Sequence, residues 1–192
     1  MQFFFVQDHR QKHRYFSSEP LSQIQIQSSR WKKIWELAKD KLSLLPKRIL
    51  RQEQALGQAL KVEEETIEIV YSGRLEEKRI RRKFYFFLQR QRSKHILLLI
   101  GEALFLPISG LAAILPGPNV FFGVLAILMI THWQALRGIN RILKKECKFT
   151  PSFLLEEWEK ALSAKRKDSF AQILDEISDQ YNITNLQKVL WK

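Results

Sequence analysis

The stretch that decides the fold is HILLLIGEALFLPISGLAAILPGPNVFFGVLAILMITH, residues 95–132. The 36 residues between its two terminal histidines contain a single charged side chain, Glu102. A helix needs about 20 apolar residues to cross a hydrocarbon core about 30 Å thick, so this stretch is too long for one span and long enough for two short ones. It therefore predicts a helical hairpin in a bilayer.

The divider of this hairpin is the turn Pro116, Gly117, Pro118 and Asn119. Pro118 lacks an amide donor and biases Gly117 away from helix, while Asn119 is a good cap for a new helix. We expect legs at 96–115 and 120–136, joined by a turn that reaches the far face or stops inside the bilayer. Non-helical backbone inside the bilayer needs protein around it, so we expect a homo-oligomer or a partner membrane protein.

Basic residues flank the hairpin on both sides, and they account for most of the net charge of +12. Residues 74–94 carry nine basic and two acidic side chains, and five further basic residues follow between 137 and 148. Such clusters stay on the inner side of a membrane, which places both termini on the matrix or cytoplasmic side. The residues expected at the surface, against anionic head groups, are Trp31, Trp35, Arg81, Arg82, Lys83, Arg137 and Arg141.

Two other interpretations of these segments are open. The basic segment 74–94 also contains four consecutive aromatic residues, 84–87, a combination that can bind single-stranded nucleic acid. The adjacent apolar stretch explains the charges better, as the basic flank of a membrane hairpin, so we expect no nucleic-acid partner. A helical protein that buries the hairpin in its own core is the competing fold, but the remaining 156 residues are polar and discontinuous.

The whole chain is therefore predicted to be a mainly α membrane protein with soluble helical flanks. Residues 1–73 form a soluble N-terminal region, in which 3–6 and 62–71 can pair as a small two-stranded sheet. An amphipathic helix at 30–45 lies on the membrane or on its own domain's core. A basic juxtamembrane helix at 74–95, the hairpin at 96–136, a basic flank at 137–149 and a soluble helical tail at 150–192 follow.

The candidate transport residues are Glu102, His95 and His132. Glu102 lies about two helical turns, on the order of 10 Å, beyond His95. Buried carboxylates often serve proton or cation pathways, although Glu102 can also reach the interface or pair with a nearby cation. The two histidines bracket the legs at matching depth and can act as a pH-responsive pair or as interfacial anchors.

Other kinds of chemistry lack the residues they need. The single cysteine provides neither a disulfide nor a thiolate cage, and the four histidines have no metal-ligand spacing. There is no phosphate-binding glycine loop and no nucleophile elbow. We expect neither enzyme activity nor a cofactor.

Three segments resemble the mitochondrial potassium/proton exchange-related family: 92–95 (RSKH), 113–122 (AILPGPNVFF) and 131–138 (THWQALRG). In that family a basic segment ending in histidine enters an apolar stretch, followed by a Pro-Asn turn and a Ser/Thr-His-x-x-Ala-x-x-Gly segment. The resemblance covers about residues 1–143, and its specific part is confined to 95–138. A similar layout in LETM-type exchangers is a weaker match.

The resemblance implies a membrane component of potassium/proton exchange, or its accessory factor, without supplying a known transport site. A non-transporting membrane anchor or scaffold is the alternative. The resemblance also implies the mitochondrial inner membrane, and a bacterial cytoplasmic membrane stays open because no presequence is evident.

Overall fold

A four-stranded sheet organises the chain. The computed structural model describes residues 2–18, 47–63, 66–111 and 120–191. The strands are β1 (Gln2–Gln7), β2 (His13–Ser17), β3 (Thr66–Ser72) and β4 (Glu146–Ser152), in the order β2-β1-β3-β4. β1 and β2 are antiparallel neighbours, whereas β1 pairs with β3 and β3 with β4 in parallel.

Six helices accompany the strands within the described ranges. They are α1 (Lys47–Gln58), α2 (Glu77–Leu111), α3 (Val120–Lys144), α4 (Phe153–Ser163), α5 (Phe170–Tyr181) and α6 (Gln187–Leu190), with a short 3₁₀ turn at Lys167–Ser169. The parallel pairing of β3 and β4 requires a crossover that returns the chain to the starting end of the sheet. α2 and α3 make this crossover as an antiparallel pair.

Each face of the sheet carries its own apolar core, because successive strand residues point to opposite faces. On one face, Phe3, Phe5 and Ile69 pack with Phe84 and Leu88 of α2 and with residues of α1 and α3. On the other, Phe4, Val6 and Val70 pack under the three C-terminal helices. The architecture is thus α/β, with helices on both faces.

The prediction of a mainly α membrane protein is wrong. None of the described helices is both long enough and apolar enough to cross a membrane. The physical reason lies in α2, whose first half is basic: its apolar part, 96–111, is 16 residues long, about 24 Å at 1.5 Å per residue. It also contains Pro107. α2 and α3 do form a helical pair, but the basic half of α2 and the end of α3 pack against the sheet.

The predicted two-stranded sheet is too small. Segments 3–6 and 62–71 do provide β1 and β3, which are neighbours, but β2 and β4 complete the sheet. The first residues of the predicted helical tail, Thr150 and Pro151, lie in β4 opposite Val70 and Tyr71. The cap is Ser152, whose hydroxyl accepts from the Leu155 amide.

A close crossing fixes α1 against α3. A Cβ atom added at Gly138 of α3 would lie 1.7 Å from the carbonyl oxygen of Leu56 in α1. The two backbones approach so closely that only glycine fits there. This contact holds α1 over the helical pair and brings Glu53 towards the histidines of α2 and α3.

Candidate functional site

A cluster of buried ionisable side chains lies where α1, α2 and α3 meet. Glu53 comes from α1, His95 and Glu102 from α2, and His132 from α3. The exposed fraction is 0% for His95, 6% for Glu53 and 8% for Glu102, and 14% for the His132 side chain. We call these four residues the carboxylate–histidine cluster.

Two carboxylate–imidazole pairs make up this cluster. Nδ1 of His132 lies 2.7 Å from Oε1 of Glu102. Oε2 of Glu53 lies 2.9 Å from Nε2 of His95, as an ion-pair contact rather than an aligned hydrogen bond. The two imidazole rings connect the pairs, with centroids 5.4 Å apart and planes at 48°. The cluster is therefore continuous from α1 through α2 to α3.

Helical spacing explains this arrangement only in part. His95 and Glu102 are seven residues apart, close to two turns, so both project from the same face of α2. His132 lies on the antiparallel α3, where its ring lies beside His95 and reaches Glu102. The pairing of Glu53 with His95 depends on the Gly138 crossing, because this close approach fixes the position of α1 against α3.

The electrostatics of Glu53 favour its ionised form. Burial alone raises the pKa of the Glu53 carboxyl, but the contacts with His95 and Lys94 outweigh burial and lower this pKa below its ordinary value. Nζ of Lys94 lies 3.1 Å from Oε1 of Glu53. Glu53 is thus a buried negative charge beside the His95 ring.

The cluster keeps unused hydrogen-bonding capacity. Within the described part of the chain, Nδ1 of His95 and Oε2 of Glu102 are buried without a hydrogen-bond partner. Buried polar atoms are normally paired, and unsatisfied ones in a native structure often mark a functional site. Both atoms can take part in proton exchange. No group of three or more His, Cys, Asp or Glu among the described residues has the arrangement of a metal site.

The structure brings together the three candidate transport residues named from the sequence. Their distances are those of direct contacts between Glu102 and His132 and between the two rings. Sequence reasoning missed Glu53 and Lys94. A signal for Glu53 was absent, because its partners lie about 40 residues away along the chain and meet it only through tertiary packing.

The residues expected at a membrane surface have different surroundings. Arg81 pairs with Glu77 at 2.9 Å and covers the Phe149 ring. Arg141 donates to the Val62 carbonyl at 2.7 Å. Arg82, Lys83 and Arg137 are exposed. Outside the described residues lie Trp31, Trp35, Pro116, Gly117, Pro118 and Asn119.

The fold and the cluster define an α/β protein in which three helices on one sheet face enclose two carboxylate–histidine pairs. The chain belongs to the mitochondrial K⁺-H⁺ exchange-related family, which matches residues 9–145. This match confirms the resemblance and contains every residue of the carboxylate–histidine cluster. No curated protein and no solved structure matches the chain.

Proposed function

We propose that the protein is the proton-responsive component of a mitochondrial potassium/proton exchange system. The carboxylate–histidine cluster takes up a proton when the pH falls and releases it when the pH rises. The observation that supports this role is the contact of two buried carboxylate–imidazole pairs through rings 5.4 Å apart. The family membership supplies the link to potassium and proton exchange.

Proton uptake changes how the three helices interact. A protonated imidazole is a cation, and in the buried cluster it faces Glu53 or Glu102 at ion-pair distance. Loss of the proton leaves a neutral ring beside a buried carboxylate, which weakens that attraction. The rings contact each other, so a charge on one ring lies close to the other pair. The pH therefore alters the packing of α1 against α2 and α3.

Potassium is handled by other groups in this proposal. The carboxylate–histidine cluster is assigned no potassium site, so further copies of the chain or a partner protein provide the pathway in this proposal. The cluster then supplies the proton-dependent step. In this role the protein is an accessory factor or one component of the exchanger.

The test is potassium-driven swelling and proton flux in mitochondria whose own copy is replaced by a variant. Glu102→Gln keeps the size of the side chain and removes its charge, so we expect flux to fall about tenfold or its pH midpoint to move by about one unit. The matched control is Glu157→Gln on the exposed side of α4. We expect that control to stay within about twofold of the unaltered protein.

A direct measurement is the titration of the imidazole resonances by NMR. His132→Gln removes the ring that lies beside His95, so the response of the His95 resonance to pH should change. Unchanged titration of His95, together with an unchanged flux profile in Glu102→Gln, would exclude proton handling by the cluster.

A second candidate function is a scaffold that holds a partner protein. Large apolar side chains are exposed along α2 and α3, with exposed fractions of 44–70%: Leu97, Ile100, Leu104, Phe105, Ile130 and Trp133. Exposed apolar patches mark interaction sites when they are contiguous. If Leu97→Gln with Leu104→Gln abolishes flux while Glu102→Gln leaves it unchanged, the scaffold replaces the proton-responsive role.

A further inference from the structure

A cleft lies between the β1–β2 turn and the first half of α2. Its volume is about 670 Å³, and its lining includes five basic side chains and no acidic one. The basic side chains are Lys12, Arg14, Lys83, Arg90 and Lys94. We call this cleft the basic groove. It is separate from the carboxylate–histidine cluster, with Lys94 as the residue at their boundary.

The sequence places these cations on one face. Lys83, Phe87, Arg90 and Lys94 follow one another at steps of four, three and four along α2, which aligns them on a single side of the helix. The turn after β1 lies opposite and adds its own basic residues. Two elements far apart in sequence therefore direct positive charge into the same cleft.

Three of these cations are uncompensated. Asp8 holds Arg14 at 2.8 Å, and Glu53 holds Lys94 at 3.1 Å. Lys12, Lys83 and Arg90 make no ion pair with any other residue that the structure describes. Three cations around one cleft repel each other, and an anion inside it would relieve that repulsion.

His13 reports this positive environment. Its ring stacks on Phe5 with centroids 4.8 Å apart. Burial, and then the positive charge of Lys83, lower the pKa of His13 to about 4, against the opposite effect of Asp8. At neutral pH the ring is therefore uncharged. Because His13 lines the groove, its pKa should respond to any anion that binds there.

We propose that the basic groove binds a phosphate-bearing anion. A cleft of this size lies in the range of small-molecule sites, which is roughly 300–1,000 Å³. Three free cations suit a group with two or more negative charges, and Lys and Arg are the side chains that bind phosphate oxygens. Phe86, 69% exposed, and Phe87 supply apolar surface beside the charged site. Phosphate chemistry is shared by soluble phosphate compounds and phospholipid head groups.

The test uses inorganic pyrophosphate as the probe, with calorimetry and the His13 resonance as readouts. The double variant Lys83→Gln/Arg90→Gln removes two uncompensated cations from the groove. Its control, Lys78→Gln/Arg92→Gln, removes the same two charges from the opposite face of α2, where both residues are exposed. We expect affinity to fall about tenfold or more in the groove variant and less than about twofold in the control. Pyrophosphate should also raise the pKa of His13.

Vesicles distinguish the two sources of phosphate. Sedimentation with phosphatidylcholine vesicles that contain cardiolipin, reversed by pyrophosphate and lost in the groove variant, assigns the site to a head group. Pyrophosphate binding without vesicle binding assigns it to a soluble phosphate compound.

Three results would overturn the proposal. The first is no pyrophosphate binding at millimolar concentration, and the second is an equal loss in both double variants, which reflects net charge alone. The third is a single-stranded oligonucleotide that binds more tightly than pyrophosphate and vesicles and depends on Lys83 and Arg90. Circular dichroism of both double variants verifies that each is folded.

Discussion

The two faces of the sheet use the same strands for different purposes. On the face covered by α1, α2 and α3, buried ionisable residues lie close to the apolar core: Glu53, His95 and Glu102. The face covered by α4, α5 and α6 is built mainly from apolar side chains around Trp158 and Leu174. Its buried Glu159 accepts a hydrogen bond from the Gln7 amide at the end of β1.

The difference separates stability from function. Burying charges costs free energy that an apolar contact does not cost. The first face therefore contributes less to stability than an apolar face of the same size would. The family match covers α1, α2 and α3 of this face and ends at residue 145, before β4 and the three C-terminal helices. The matched region thus contains the costly polar cluster, while the second face provides apolar packing.

The largest effect is expected at Trp158, in the centre of the second face. Its side chain is fully buried, packs against Phe170 and donates to the Gln7 carbonyl at 2.8 Å. Trp158→Ala should lower the free energy of unfolding by about 3–5 kcal/mol. The control is Trp133→Ala on α3, 54% exposed, which should change it by less than about 0.5 kcal/mol. Urea unfolding measures both, and similar values would contradict the contrast between the faces.

The next effect is expected at the α1–α3 crossing. Gly138→Ala places a methyl group against the Leu56 carbonyl, so the helices must separate, at a cost of about 3 kcal/mol. Gly101→Ala, in α2, meets nothing within 4 Å and should stabilise the helix by up to about 1 kcal/mol. Thermal unfolding distinguishes them, because the unfolding temperature should fall in Gly138→Ala and rise in Gly101→Ala. An unchanged unfolding temperature in Gly138→Ala would contradict the close contact between the two helix backbones.

A smaller effect concerns pH. The pKa of His13 falls from 6.5 to about 4 on folding, so protonation favours the unfolded chain. Its contribution to stability is complete above pH 6.5 and is lost as the pH falls towards 4. Because the ring is partly exposed, screening reduces this contribution to about 1–2 kcal/mol. Urea unfolding at pH 7 and 5 should show the loss in the unaltered protein and less of it in His13→Gln. Parallel profiles would contradict it.

Much of the candidate site could be predicted from the sequence because its residues stand out locally. Glu102 is the single charge in an apolar stretch, and His95 and His132 mark the ends of that stretch. The family likewise followed from short motifs that need no tertiary structure. Within the tail predicted to be helical, α5 buries Phe170, Ile173, Leu174 and Ile177.

The fold around these residues could not be predicted in the same way. β2 and β4 carry many charged and polar residues and lack the continuous apolar pattern of β1, so they become strands through their neighbours. The apolar stretch was interpreted as a membrane hairpin because hydropathy records composition and not contacts. In the folded chain, the basic half of α2 and the second half of α3 pack on the sheet, whereas Leu97 and Leu104 of the apolar stretch are exposed.

The sequence by itself determined which residues are chemically unusual, since a charge or histidine in an apolar stretch is visible without any structure. Only the tertiary structure decided which of them meet. Glu53 reaches His95 because Gly138 lets α1 approach α3, and Lys12 faces Lys83 because the β1–β2 turn lies beside α2. Both arrangements depend on contacts between segments far apart along the chain, and local sequence patterns do not predict such contacts.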